Sequence, residues 1–117
     1  MYKDWPGIAA NLSAPLKELR GGAPEVMQGF GAMARAALAP KTLDSKAKEL
    51  VALGIAVAIR CDACVTFHAE AALRQGASRD EVMEVMGMAI YMGAGPSVMY
   101  AAQVVEAFDQ YAAKAAG

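Results

Sequence analysis

Both cysteines of this chain and its single histidine fall within eight residues, Cys61-Asp62-Ala63-Cys64-Val65-Thr66-Phe67-His68. On a helix, positions i, i+3 and i+7 share a face, so Cys61, Cys64 and His68 form one stripe, with His68 one turn beyond Cys64. A neutral imidazole at that spacing takes or holds a thiol proton. An imidazolium stabilises the thiolate, the species that attacks peroxides and disulfides. Cys61, nearest the helix start, faces unpaired backbone N–H groups that also favour a thiolate. Two thiols one turn apart can close a disulfide, so a sulfenic acid formed on one is open to attack by the other. The pattern reads as a redox-active pair. Which thiol attacks first stays open, since the helix start favours Cys61 and the imidazole lies nearer Cys64.

The elements that must position this stripe begin upstream, where Lys46 to Leu53 opens a strongly helical run ending near Arg60. An antiparallel helix hairpin turning at Ile59 and Arg60 puts Glu49 about ten residues back and His68 about eight forward, near one level at roughly 1.5 Å per residue. A carboxylate there orients His68 and raises its basicity, as the third member of a nucleophile–base–orienter set does. Thr42-Leu43-Asp44-Ser45 offers caps for the Glu49 helix, whose apolar run Leu50 to Ile59 predicts burial on most sides. Singly, Cys61 and Cys64 read as core hydrophobes, His68 as a satisfied helix residue, and Glu49 as a partner for Lys46 or Arg60. Their combination is what points to chemistry.

Glu49, eleven residues, Cys61, two residues, Cys64, three residues, His68 resembles the signature of the AhpD-like alkyl hydroperoxidases, within the wider carboxymuconolactone decarboxylase family. The similarity runs back through the helix from Glu49 to Arg60 and forward through Ala69 to Ala77 and Ser78 to Glu81. The resemblance implies an all-helical homo-oligomer, a trimer or hexamer. Its paired thiols would reduce an organic hydroperoxide or a partner disulfide, with an external thiol reductant restoring them and no cofactor. Carried over position by position, it makes Cys64 the peroxide-reactive thiol and Cys61 its resolving partner, with Glu49 and His68 in a proton relay. Decarboxylases of the wider family lack the cysteine pair.

Two thiolates and an imidazole are also three candidate zinc ligands, with Glu49, Asp62, water or a neighbouring subunit as the fourth. Structural zinc sites draw on two separated ligand pairs that close a loop, whereas these three lie on one stripe, which sets dithiol chemistry ahead. An oligomeric binding protein whose thiols sense oxidation would use the same residues.

A chain of 117 residues points to one domain, residues 1–117, with a modest core, yet 56% of it is hydrophobic and eight residues are Met. That excess predicts surface buried between subunits. A net charge of −1 gives no footprint for nucleic acid. One close cysteine pair is unlike a secreted disulfide framework and fits a reducing cytoplasm. Lys3, Asp4 and Pro6 stand where a secretory signal needs an apolar run. Val85 to Val105 spans 21 residues without a charge, enough to cross a bilayer. Gly93-Ala94-Gly95-Pro96 interrupts it, so two buried helices and no membrane partner are expected.

The remaining punctuation predicts an all-α fold of about six helices. The first covers Ile8 to Arg20, interrupted by Pro15 or starting near Ser13, and stops at Gly21-Gly22. The second runs from Pro24 to Leu38, with Gly29 and Gly31 marking a close approach or a kink. The Glu49 helix and the cysteine helix follow, the latter stopped by Gly76. Ser78 and Glu81 form a capping box for Arg79 to Met92, and Ser97 caps a last helix to Lys114. The Met residues read as adaptable packing. Phe67, Tyr91 and Tyr100 read as core or as the walls of an apolar entrance.

Overall fold

The chain folds entirely into helices. The computed structural model describes residues 1–117 as α1 (Trp5–Gly22), α2 (Pro24–Leu38), α3 (Ser45–Ile59), α4 (Asp62–Arg74) and α5 (Arg79–Ala116). The caps follow from residue type. Asp44 Oδ1 accepts from the Ala47 N–H at 2.8 Å to open α3. Ser78 and Glu81 close the expected reciprocal box at the start of α5. Gly76, with φ at +86°, supplies the left-handed residue that ends α4. Lys48 Nζ reaches back to the carbonyls of Ala37 and Ala39 at 2.8 and 2.6 Å, finishing α2 before Pro40.

Three expectations change. First, α1 starts at Trp5, earlier than the Ile8 or Ser13 start expected from sequence, because Asp4 accepts from the Gly7 N–H at 3.1 Å and Pro6 fits the first turn. Pro15 does not interrupt it; the carbonyl that Pro15 leaves without an intrahelical donor belongs to Asn11, on the exposed face. Second, Gly29 and Gly31 lie in continuous helix. Third, the last two expected helices form one element with a break inside it, at Ala94, where φ is 56° and ψ −141°. Pro96 has no N–H for the carbonyl of Met92, so the chain turns out at Ala94 and helix resumes with Pro96 in its first turn. Ser97 therefore lies inside the resumed helix, 1% exposed, and is not its cap.

The core lies where α3, α4 and α5 meet, built on Leu53, Val57, Val65, Val82, Val104 and Phe108, with Ala56, Ala69, Ala72 and Ala107 letting the axes approach. Gly54 faces Val85, whose Cγ1 would lie only 3.4 Å from an added Cβ. α3 is not buried on most sides: Val51, Ile55 and Ile59 are each more than half exposed. Of the Met side chains only Met86 is buried, and α2 buries none of its residues. A chain this short covers one side of its central hairpin and leaves the other bare. By length and composition α5 alone is long and apolar enough to cross a membrane, and nine of its 38 residues are buried within the fold.

An N-terminal arm joins the bundle from outside. Glu106 accepts from the N–H groups of Tyr2 and Lys3 at 2.6 and 2.9 Å and from Trp5 Nε1 at 2.8 Å. Gln110 accepts from the Trp5 N–H at 2.9 Å and donates to the Lys3 carbonyl at 2.8 Å. Trp5 itself is fully buried, and Thr66 on α4 donates to its carbonyl at 2.7 Å. The arm thus ties α4 to α5.

Two outcomes are expected. Ala94 adopts a backbone conformation suited to Gly, so Ala94→Gly should raise stability by about 1 kcal/mol, strain relief outweighing the extra freedom of the unfolded chain. Thermal melting should register this as a rise of roughly 4 °C. The hydrogen bond from the Tyr2 N–H is the largest effect on the Glu106 carboxyl; burial opposes it, and with the further hydrogen bonds from Lys3 and Trp5 the group is held below its usual value of 4.5. A depressed carboxylate gives its stabilisation in full above the unfolded value and loses it as pH falls through the folded one. Fluorescence of Trp5, the single tryptophan, should therefore hold steady from pH 7 to about 5 and change below about 4. Glu106→Gln should abolish that acid transition.

Candidate active site

The site is built at the turn between α3 and α4. Arg60 ends α3 in the left-handed region, φ 55° and ψ 51°, and the Cys61 N–H returns to the Ala56 carbonyl at 3.2 Å. The turn therefore falls where the sequence places it. Cys61 is extended and caps α4, its Sγ accepting from the Cys64 N–H at 3.1 Å. Cys61 and Cys64 are joined in a disulfide, with their Cα atoms 5.2 Å apart, and both are partly exposed. The structure thus holds the pair oxidised, with one sulfur at the helix start and the other one turn in.

Across the hairpin, Glu49 meets His68, with Oε1 at 3.0 Å and Oε2 at 3.3 Å from Nδ1. Neither alternative partner competes: Lys46 pairs with Glu81 at 3.0 Å, and Arg60 points to the Ala58 carbonyl. Glu49 is 5% exposed, whereas the His68 side chain is 30% exposed. A carboxylate only accepts, so Nδ1 carries the proton and donates it, leaving Nε2 as the basic nitrogen. A hollow of about 230 Å³, lined by Leu38, Ser45, Glu49, Phe67, His68 and Arg74, opens this pair to the surface. Phe67 is thus a wall of the opening. Tyr91 is not, being 79% exposed on the outside of α5.

A second network, which no local sequence pattern indicates, is attached to the cysteine turn through Asp62. Asp62, between the cysteines, accepts from Lys3 Nζ at 2.8 Å through Oδ2 and from the Tyr100 hydroxyl at 3.0 Å through Oδ1. Lys3 also donates to Gln103 Oε1 at 2.7 Å. Burial lowers the Lys3 ammonium, but the hydrogen bond and charge of Asp62 outweigh this and hold it above its usual value. The hydrogen bond to Asp62 likewise raises the Tyr100 hydroxyl, which stays a donor. No local pattern ties Lys3 to Asp62, 59 residues away in the chain; only the docked arm does. No three His, Cys, Asp or Glu side chains cluster as metal ligands would, and Asp62, a candidate fourth zinc ligand by sequence, is turned to Lys3 and Tyr100.

The sequence profile of the carboxymuconolactone decarboxylase family matches residues 24–107. An uncharacterized protein of Cupriavidus necator is 41% identical over 86 residues, 74% of this chain and 76% of its own length. The crystal structure of an apo carboxymuconolactone decarboxylase family protein from Legionella pneumophila superposes with a TM-score of 0.89 at 42% identity, over 92% of this chain and 96% of that one. A Thermotoga maritima family member, a candidate participant in an antioxidative response, shares the fold with a TM-score of 0.78 at 24% identity, over 87% of each chain.

With His68 anchored by Glu49, the reduced pair should react quickly with iodoacetamide at pH 7. His68→Asn removes the base, and the alkylation rate should fall by about tenfold or more. Glu49→Gln keeps an acceptor but no charge, and should give a smaller loss with the same sign. Equal rates in all three proteins would separate the imidazole from the thiols.

Proposed function

The chain belongs to the carboxymuconolactone decarboxylase family, and we propose that it is a dithiol-dependent hydroperoxide reductase. The observation that carries this reading is the buried Glu49 carboxylate bonded to His68, one helical turn beyond a cysteine that closes a disulfide with Cys61. The antioxidative role suggested for the Thermotoga relative agrees with it.

In this reading the cycle starts from the dithiol. His68 Nε2 takes the Cys64 proton, and the thiolate attacks one oxygen of an organic hydroperoxide. An S–O bond forms as the O–O bond breaks, and the departing alkoxide takes the proton from His68, leaving an alcohol and a Cys64 sulfenic acid. The Cys61 sulfur then attacks that of Cys64; the S–S bond forms, the S–O bond breaks, and hydroxide leaves as water with the Cys61 proton. Two thiols and one hydroperoxide become a disulfide, an alcohol and water. An external dithiol returns two electrons by thiol–disulfide exchange. Throughout, Glu49 keeps the imidazole in one tautomer and one orientation.

Once reduced, the partly exposed pair also suits attack on a partner protein's disulfide: the Cys64 thiolate forms a mixed disulfide and Cys61 then closes the intramolecular one, releasing the partner's two thiols. The bare apolar faces of α2, α3 and α5 support assembly as a homo-oligomer, and a reducing compartment such as the cytoplasm suits a pair that must be restored to the dithiol.

Fully reduced protein treated with one equivalent of an organic hydroperoxide should lose both thiols and the mass of two hydrogens. Cys64→Ser should abolish turnover, whereas Cys61→Ser should stop after one equivalent with a trappable sulfenic acid. Activity retained in Cys64→Ser and lost in Cys61→Ser would reverse the order of attack. Survival of both thiols in the parent protein would sink the reading.

A further inference from the structure

Asp62 stands in the first turn of α4, where any acidic residue is favoured by the helix dipole. That role needs no partner. Yet both its carboxylate oxygens are engaged by distant groups, Lys3 from the arm and Tyr100 from α5. The Lys3 ammonium is held in turn by Gln103 and lies 5.4 to 5.6 Å from the ring centres of Tyr2, Trp5 and Tyr100. Glu106 and Gln110 fix the backbone on either side of it. A partly exposed Lys–Asp pair adds little to stability. Here a caged cation is delivered to the one acidic residue lying between the two sulfurs in sequence.

We propose that Lys3 is a positioning residue that sets the reduction potential of the Cys61–Cys64 pair by neutralising Asp62. The inference rests on the reading that this pair cycles between dithiol and disulfide. A thiolate on either cysteine forms within two residues of the Asp62 carboxylate, and an uncompensated negative charge there disfavours it. Lys3 removes that repulsion, so the reduced pair holds its thiolate more easily and the disulfide becomes a better oxidant. The other charged or titratable groups on the packed elements are committed elsewhere. Glu49 faces His68, Glu106 is occupied by arm N–H groups and Trp5, Arg60 points to the Ala58 carbonyl, and Tyr100 donates to Asp62 as a neutral phenol. Lys3 is the one cation in contact with Asp62.

The test compares the apparent thiol pKa, read from thiolate absorbance, with the potential from equilibration against glutathione, in the whole protein and without peroxide. Lys3→Met should raise the lower thiol pKa by about one unit and disfavour the dithiol about tenfold, close to 30 mV for a two-electron couple. Lys3→Arg should restore both values. Asp62→Asn should shift both the opposite way, and the Lys3→Met/Asp62→Asn pair should return near the parent. A role confined to arm docking would lower melting temperature without this reversal. Unchanged values in Lys3→Met, or shifts of one sign in both single variants, would overturn the proposal. Should Lys3→Met not fold, Asp62→Asn decides alone: a lowered thiol pKa is expected, and an unchanged or raised one is contrary. A parent protein inert to hydroperoxide would count against the peroxidase reading and leave these two measurements intact.

Discussion

A carboxylate inside an apolar helix hairpin must be met by a donor, and the arrangement of α3 and α4 follows from the way Glu49 meets that demand. Leaving it unpaired would cost several kcal/mol or force it to take up a proton. His68 is the donor, and the contact exists only at one hairpin register. Moving the turn by one residue rotates each side chain of α4 by about 100° and takes His68 off Glu49. Arg60 accepts a left-handed backbone to hold that register. The same contact fixes which imidazole nitrogen is basic. Folding constraint and proton chemistry are here one hydrogen bond.

The second organising feature is less local. Glu106 collects three N–H groups from the arm, and the fully buried Trp5 fills the space it makes beside α4 and α5. Because Thr66 on α4 also bonds to the Trp5 carbonyl, the arm sets the spacing of the helices on which the disulfide and Tyr100 are mounted. Apolar packing and polar anchoring are therefore divided between the two ends of the chain: alanines close the bundle, and the first five residues tie it.

What the sequence revealed was whatever short-range spacing controls. The α3–α4 hairpin, its turn at Arg60, the meeting of Glu49 with His68 and the Ser78–Glu81 box are all set by contacts whose geometry follows from helical rise and residue type. The burial of α3 differs within the single chain because periodicity records hydrophobicity without saying which chain covers it; Val51, Ile55 and Ile59 look like core and are more than half exposed. The start of α1 and the burial of Trp5 depend on Glu106, about a hundred residues away, and no local pattern encodes that pairing. The last two helices merge for another reason. Pro96 does break the helix, but a break of one residue at Ala94 does the work of a loop.

Cys61 is at once half of the disulfide and the first hydrogen-bond acceptor of α4. A free sulfur and a disulfide-bonded one accept from a backbone N–H with different strength, the more so if the free one is ionised. The electron count of the pair and the initiation of one helix therefore share an atom. Reciprocity of coupled equilibria then applies to secondary structure as it does to ligands. Whatever orders or frays the first turn of α4 is therefore coupled to the balance between dithiol and disulfide, without touching either sulfur.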